Sequence, residues 1–540
     1  RPDPKALPNY LRPAVDGRLE VVREGFTGRP ERHVAFLLGL VGGGDHDGAM
    51  IPSREVCLRA VASRDARFDG EFFTAVATTG IYCRPSCPAL TPRPENTDFY
   101  PTAAAAQDAG FRACRRCRPD TVPGSAAWDV RADTVARAMR LIGDGLVDRE
   151  GVAGLAQRLG YSVRQLQRAL AAELGATPLA LARAQRAHTA RVLLETTSMR
   201  LGEVAFAAGF GSVRSFNDAI RAAYDLTPGE LRARLRRTST PRTQLGAVEL
   251  RLPFRRPFEP SNLFGHLVAT AVPGVEEWRD GAYRRTLALP HGPGIVALEP
   301  RPDHIAATLW LTDPRDLTPA IGRCRRMLDL DADPVAVSEA LEADPLLAPL
   351  VAAAPGRRVP RSPDGAELAL RIVLGQQVST AAARTQTGRL VQRLGEPVSD
   401  PAGGLTHLFP TAEAVAALAP GDIPGPAARA NTLIGLAREL AEGRLDLSES
   451  ADRAEARELL GALRGIGPWS VELIAMRALG DPDAFPGGDL GIVRAARERG
   501  LTTGAELNTA AAGWRPWRSY ATQYLWSLLD HPINRIPEAS

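Results

Sequence analysis

A chain of 540 residues exceeds what one hydrophobic core organises and implies roughly three to five domains. Its 44% apolar and 24% charged residues are those of an ordinary globular protein and argue against a disordered or fibrous chain. No apolar run reaches the roughly 18–20 residues that span a bilayer, six cysteines do not suggest a disulfide frame, and a formal charge of +4 is weak evidence for a nucleic-acid partner.

Residues 1–49 show no clear period and read as a disordered leader, with Met50 a plausible true start. Within them "HVAFLLGLVGGG" (33–44) is too short and too far in for a secretory signal. Residues 50–125 are turn-rich and hold five of the six cysteines, four of them in two close pairs. Residues 126–237 place Ala, Leu and Arg at helical spacing. Over 130–240 there are seventeen arginines against ten acidic residues, a surplus suited to a phosphate-facing module. A polar Ser/Thr/Pro/Arg linker follows, "RRTSTPRTQLG" (236–246), with the domain junction set at 238–247; its composition suggests two halves that move independently. Over 248–332 the segments "AVELRLPF", "YRRTLALP", "GIVALEP" and "HIAATLWLT" read as an antiparallel sheet. Residues 333–540 return to helical spacing, interrupted by "LRGIGPWS" and "FPGGDLGIV". Lys5 is the only lysine; every other long basic side chain is arginine.

The cysteines are spaced Cys83-x3-Cys87, twenty-six residues, then Cys114-x2-Cys117. Two close pairs of thiolates fit a tetrahedral zinc, and spacing alone leaves open a knuckle that only holds a small domain together, the commoner use of an all-cysteine site. The surrounding text, "FFTAVATTGIYCRPSCPALTPRPENTDFY" with "AAAAQDAGFRACRRCRPD", closely resembles the N-terminal domain of the Ada methylation-repair regulators over residues 65–120. The resemblance implies one zinc held by all four cysteines, with Cys83 accepting a methyl group from a DNA methyl phosphotriester. Zinc keeps a sulfur as thiolate at neutral pH. A cluster of net charge −2 repels an anionic phosphodiester but not a neutral triester. Methylation removes one unit of charge, so DNA binding then strengthens. Cys57 and Cys324 have no partner motif and read as small buried residues. The second methyl-acceptor motif of those regulators, Pro-Cys-His-Arg, does not occur, so repair of O6-alkylguanine is not expected.

"LAQRLGYSVRQLQRALAAELGATP" (155–178) is echoed by "VAFAAGFGSVRSFNDAIRAAYDLTP" (204–228): helix, Gly, aromatic, Ser-Val-Arg, helix, Thr-Pro. The pair suggests two helix-turn-helix units. The segment "AFAAGFGSVRSFNDAIRAAYDLTPGELR" resembles the AraC family's DNA-binding domain. In that arrangement each second helix enters the major groove. The candidates to meet DNA are Ser162, Arg164, Gln165 and Arg168 in the first unit and Ser212, Arg214, Ser215 and Asn217 in the second. For most of the arginines a phosphate contact or a solvated face is the expected role, since half or more of such contacts go to the backbone. Leu155, Leu166, Leu170, Phe206, Phe216 and Ile220 are expected in the core.

A Gly-Ile-Gly turn between helices, Gly465 to Gly467, can aim backbone N–H groups at a DNA phosphate, often with a bound monovalent cation. With "GGD" about twenty residues later, it resembles the helix-hairpin-helix DNA glycosylase superfamily. Adding "LALRIVLGQQVSTAAARTQTGRLVQRLG", "PGPAARANTLIGLA" and "WRPWRSYATQYLW", the rear half resembles the AlkA branch, 3-methyladenine glycosylase II, over about 248–530. That resemblance makes Asp489 the essential carboxylate, able to steady an oxocarbenium-like sugar and to orient water; a helix N-cap is its ordinary alternative role. Trp469 and Trp526 stand at positions implied to line the base pocket, where an aromatic wall favours a cationic alkylated base; hydrophobic core is the ordinary alternative for each. The residue implied to fill the gap left by a flipped base is Gln377. His266 and Leu490 stand where relatives often carry aromatic pocket residues, which implies a less aromatic pocket here. The lysine position of strand-cutting relatives is Trp469, so the enzyme is expected to leave an abasic site; no cysteine follows Cys324, which excludes an iron–sulfur cluster.

The expected fold is multidomain α+β: a small zinc domain, an all-α double helix-turn-helix, an antiparallel sheet domain with helices, and an all-α helix-hairpin-helix domain. The expected function is an alkylation-damage response protein, cytoplasmic and nucleoid-associated, without a membrane partner and monomeric. It binds alkylated and promoter double-stranded DNA, with RNA polymerase as the partner of an activator. Two rivals stand beside it: a regulator whose glycosylase-like half only binds DNA, and a glycosylase whose zinc is purely structural.

Overall fold

The computed structural model describes residues 51–65, 68–114, 116–117, 119, 134–196, 199–236, 247–448 and 450–537. The expected leader and the linker, apart from Ala247, lie outside the described residues.

The cysteine-bearing segment folds as α1 (Arg54–Ala62), β1 (Phe73–Val76), β2 (Ile81–Cys83), β3 (Thr97–Tyr100), α2 (Ala103–Asp108) and β4 (Arg112–Ala113). Its sheet runs β3-β1-β2-β4, antiparallel except for β2 beside β4. That one parallel pairing matters: β2 ends at Cys83, and Cys114 follows β4 directly, its N–H donating to the Tyr82 carbonyl at 2.9 Å.

Among the described residues seven helices come next: α3 (Thr134–Gly143), α4 (Leu146–Leu159), α5 (Val163–Leu174), α6 (Pro178–Thr196), α7 (Leu201–Ala207), α8 (Val213–Tyr224) and α9 (Pro228–Arg236). The repeat is visible in the caps. Ser162 and Ser212 cap α5 and α8 by accepting from the N–H three residues on. Left-handed Gly175 and Asp225 end those helices. Pro178 and Pro228 then open the next helices, where a missing N–H costs nothing. Five of the six expected core residues are fully buried here, but Phe206 is 54% exposed. In α7 the buried face is Val204, Ala205 and Ala207, so Phe206 points outward; seven residues are too few for the period to declare its face.

The rear half opens with β5 (Ala247–Leu252) and α10 (Ser261–Ala269), then β6 (Glu276–Arg279), β7 (Ala282–Leu289), β8 (Gly292–Pro300) and β9 (Ile305–Leu311). The sheet is antiparallel throughout, ordered β5-β9-β8-β7-β6. Strand β6 escapes a sequence reading because "EEWR" shows no apolar alternation. Helices follow: α11 (Leu317–Met327), α12 (Pro334–Leu341), α13 (Ala348–Ala353), α14 (Gly365–Leu374), α15 (Thr380–Leu394), α16 (Ala412–Ala416), α17 (Ala427–Ala441), α18 (Arg453–Ala462), α19 (Pro468–Arg477), α20 (Leu490–Arg497), α21 (Gly504–Ala512) and α22 (Arg518–Trp526). The whole is multidomain α+β, and among the described residues no helix is long and apolar enough to cross a membrane.

The halves do not stand apart, contrary to the reading of the linker. One buried apolar cluster takes in Tyr82 of the cysteine segment, Leu193 and Phe216 of the helical repeat, and Leu309 and Leu317 of the rear half. Polar ties cross the same seam: Thr189 to Thr318 at 2.7 Å, Arg137 Nε to the Ser450 carbonyl at 2.6 Å, and Arg255 to Glu71 at 3.2 Å. The length of a linker sets how far two bodies can separate, and a shared core decides that they do not.

Candidate functional site

The four expected sulfurs converge. Cys83, Cys87, Cys114 and Cys117 place their Sγ atoms within 4.8 Å of one another, with Cys87 and Cys114 4.0 Å apart. Sulfurs bound to zinc at about 2.3 Å would stand roughly 3.8 Å apart, so the donor set fits that ion. Crowding by the thiols of Cys114, Cys117 and Cys87, and then burial, pushes the Cys83 thiol up. Cys114 and Cys117 are buried while Cys83 and Cys87 are half-buried. The loop between the latter is pinned by Asp69, which accepts from the Ser86 N–H at 2.9 Å and the Ser86 hydroxyl at 2.5 Å and pairs with Arg84 at 3.3 Å. The outermost sulfurs therefore sit on a fixed turn.

On the helical repeat, Arg164, Arg168, Arg214 and Ser215 are exposed and Asn217 is half-buried. Ser162 and Gln165 are exposed but bond each other, as the two partners of a capping box. Ser212 and Ser215 are likewise joined at the start of α8. The helix starts are thus held by the same residues that were read as base contacts, and the arginines are the side chains left to reach outward.

In the rear half the hairpin lies between α18 and α19. Gly465 is left-handed, with φ +90° and no room for a Cβ, which would meet Thr432 Oγ1 at 2.1 Å. Gly467 is exposed, caps α19 and has open space where a Cβ would be. Neither glycine's N–H has a partner among the described residues. Thr432 donates to the Arg464 carbonyl at 3.1 Å, and Gln376 Nε2 to the Gly465 carbonyl at 3.0 Å. Arg429 holds the Gln376 carbonyl at 2.7 Å. The next residue, Gln377, is exposed with φ +57°, a conformation that costs on the order of 1–3 kcal/mol outside glycine. Hairpin and expected wedge are therefore bolted to one another.

Asp489 begins α20, and four N–H groups converge on it. Its Oδ1 accepts from Gly491 N at 2.9 Å, Ile492 N at 3.1 Å and Trp526 Nε1 at 2.9 Å; its Oδ2 accepts from Trp469 Nε1 at 3.1 Å. The N-cap role and the functional expectation thus meet in one carboxylate. Both tryptophans expected near it are half-buried and turn their indole N–H edges to it. Leu490 beside it is 86% exposed. His266, on α10, is kept neutral first by burial and then by Arg477, Arg371 and His531 nearby. Its Nε2 is buried without a hydrogen-bond partner.

Several residues missed by sequence reasoning hold this arrangement. Gln376 and Thr432 brace the hairpin, as above. Asn534 Nδ2 donates to the carbonyls of Trp526 at 2.8 Å and Leu529 at 3.0 Å. The same C-terminal segment lies so close to α10 that a Cβ on Gly265 would meet the Arg535 carbonyl at 2.6 Å. It therefore ties the His266 helix to the Trp526 helix. These contacts bridge distant stretches of chain, and the only sequence signal was the adjacency of Gln376 to Gln377.

Three family models match this architecture: the metal binding domain of Ada over residues 56–120, a helix-turn-helix domain over 155–234, and the AlkA N-terminal domain over 249–364. The class is a fusion of an Ada-type zinc domain and an AraC-type helix-turn-helix with an AlkA-like glycosylase domain. A Mycobacterium tuberculosis protein, "Probable bifunctional transcriptional activator/DNA repair enzyme AlkA", is 59% identical over 485 residues, 89% of this chain and 98% of that one. The chain belongs to that family of bifunctional activator and repair enzymes. Escherichia coli DNA-3-methyladenine glycosylase 2 is 34% identical over 51% of this chain and 95% of its own length. The E. coli bifunctional transcriptional activator/DNA repair enzyme Ada is 40% identical over 25% of this chain and 36% of its own.

Proposed function

We propose that this chain answers alkylation damage in three ways: it accepts a methyl group at Cys83, regulates promoters through its paired helix-turn-helix, and excises alkylated purines at Asp489. The observation that carries the reading is the Asp489 carboxylate, fixed by two indole N–H groups and a helix start within the helix-hairpin-helix domain. A base alkylated at N3 or N7 is cationic and leaves without a strong acid. As the N-glycosidic bond breaks, positive charge grows on the sugar, and a preorganised carboxylate steadies it and orients the incoming water. The unpartnered N–H groups of the hairpin suit a DNA phosphate. A monovalent cation there would share the Arg464 and Gly465 carbonyls with Thr432 and Gln376. Trp469 stands where an amine nucleophile would be needed, so the product is an abasic site with the strand intact.

At the front, zinc held by Cys83, Cys87, Cys114 and Cys117 would keep the sulfurs as thiolates. The half-buried Cys83 sulfur attacks the methyl carbon of a phosphotriester; the carbon–oxygen bond breaks and the phosphodiester leaves as the anion. Exposed Arg164, Arg168 and Arg214 serve phosphates and base edges, with RNA polymerase the partner of the activator. The reading places the chain among DNA in the cytoplasm, as a monomer.

The test uses the full, zinc-loaded chain on methylated duplex DNA. Free 3-methyladenine should appear in solution, and Asp489→Asn should abolish its release. Intact-mass analysis should find one added methylene, absent from Cys83→Ala. A Cys83→Ala chain that still gains the methyl group assigns acceptance elsewhere; unchanged base release by Asp489→Asn removes the catalytic role.

A further inference from the structure

A cavity of about 120 Å3 opens among α10, α14, α15 and the C-terminal end of α19. Five arginines line it, Arg285, Arg361, Arg371, Arg384 and Arg477, with Glu276 the one carboxylate. Three of the cations are matched by acids. Arg285 and Arg371 share Glu276 and Glu367 at 2.7–3.3 Å, and Arg361 pairs with Asp329 at 2.9 Å. Arg384 and Arg477 are different. Each spends its Nε on one main-chain carbonyl, Ala271 at 2.7 Å and Pro360 at 2.9 Å, and neither has a carboxylate within 4.0 Å among the described residues. Burial, and then the neighbouring Arg371, brings the Arg477 guanidinium down to about 9. A tie to one carbonyl needs neither terminal nitrogen and no charge. Two guanidinium groups that line one partly closed space with no carboxylate partner call for an anion.

The cavity's other features agree. Thr380, which also lines it, is the first residue of a fifteen-residue helix, whose N-terminal end carries partial positive charge. The space is large enough for several waters or one tetrahedral oxyanion. Immediately before Thr380 runs the strained Gln377 segment.

We propose that this cavity binds a phosphate-class oxyanion through the guanidinium groups of Arg384 and Arg477. A free phosphate and a DNA backbone phosphodiester present the same chemistry, and only the second source rests on the DNA-binding reading above.

The experiment has two arms on the full, zinc-loaded chain. Inorganic phosphate is titrated by calorimetry without DNA, with chloride at equal ionic strength as the control. Separately, affinity for undamaged duplex DNA is measured against salt. For a free anion, phosphate binds saturably, and Arg384→Gln and Arg477→Gln each weaken it at least roughly tenfold. For a backbone phosphate, each variant lowers the slope of log affinity against log salt by about 0.9. Arg384→Gln leaves the Pro360 tie of α19 in place, so it decides the matter if Arg477→Gln does not fold. Absence of both effects overturns the site. Release of 3-methyladenine is scored in parallel: its persistence alongside that absence removes the anion site alone and leaves the excision reading standing.

Discussion

Asp489 receives four N–H donors, two from the start of its own helix and two from indole rings. The main-chain pair would hold any N-cap aspartate. Trp469 holds the second oxygen and with it the rotation of the group, and Trp526 adds a third donor to the first oxygen; a helix cap alone needs neither. Phenylalanine at 469 or 526 keeps a ring and deletes only the donor. Trp469→Phe and Trp526→Phe should each lower single-turnover excision by roughly tenfold, the worth of a hydrogen bond to a charged group. Substrate affinity and melting temperature should move little. A fall in affinity with an unchanged rate would instead make the rings base-stacking surfaces. The cysteines divide as sharply. Burial pushes both Cys57 and Cys324 up to about 12, so at pH 8 only about one in ten thousand is thiolate. Iodoacetamide should leave both unmodified in the folded chain, and chelation should add label at the four clustered cysteines alone. Peptide mass mapping reads this directly.

The two hairpin glycines serve different physical ends although the motif writes them alike. Gly465 is required by its backbone and its neighbour: φ is +90°, and a Cβ would sit 2.1 Å from Thr432 Oγ1. Gly465→Ala should cost about 2–4 kcal/mol, combining left-handed strain with overpacking, and should weaken DNA binding with it. Gly467 has φ −92° and nothing within 4 Å of a Cβ. Gly467→Ala should leave the melting temperature within a degree or two, and any loss of DNA affinity then reports crowding of the phosphate. Elements whose signals are local were readable from the chain. The Thr-Pro stops, the cysteine pairs and the hairpin with its aspartate each lie within a few residues of what they act on, whereas Ser162 and Ser212, expected at DNA, are helix caps. Strand β6 was not, because its four residues are charged or polar but for Trp278. Phe206 was misread because α7 is two turns long. The positive φ of Gln377, the Thr432 and Gln376 braces and the Asn534 tie depend on contacts formed only once distant segments meet. The linker misled for the same reason: its composition describes its own stiffness and is silent about the surfaces at its two ends.

Those surfaces make the whole molecule more than a string of modules. Leu317 is fully buried in the cluster that also holds Tyr82 and Phe216, and the adjacent Thr318 bonds Thr189 across the seam. Leu433 is equally buried, but its cluster draws only on the rear half. Truncating either side chain should cost roughly 2–5 kcal/mol in transfer and cavity terms, yet the cost should appear in different places. Leu317→Ala removes support from both halves at once. On heating, zinc release, followed with a chromophoric chelator, should move to lower temperature together with the loss of excision. Leu433→Ala should lower the temperature at which excision is lost and leave zinc release where it is in the unsubstituted chain. A Leu317→Ala chain that releases zinc at the original temperature would mean that the shared core carries no energy between the halves, and that the methyl acceptor and the glycosylase are neighbours only by covalent attachment.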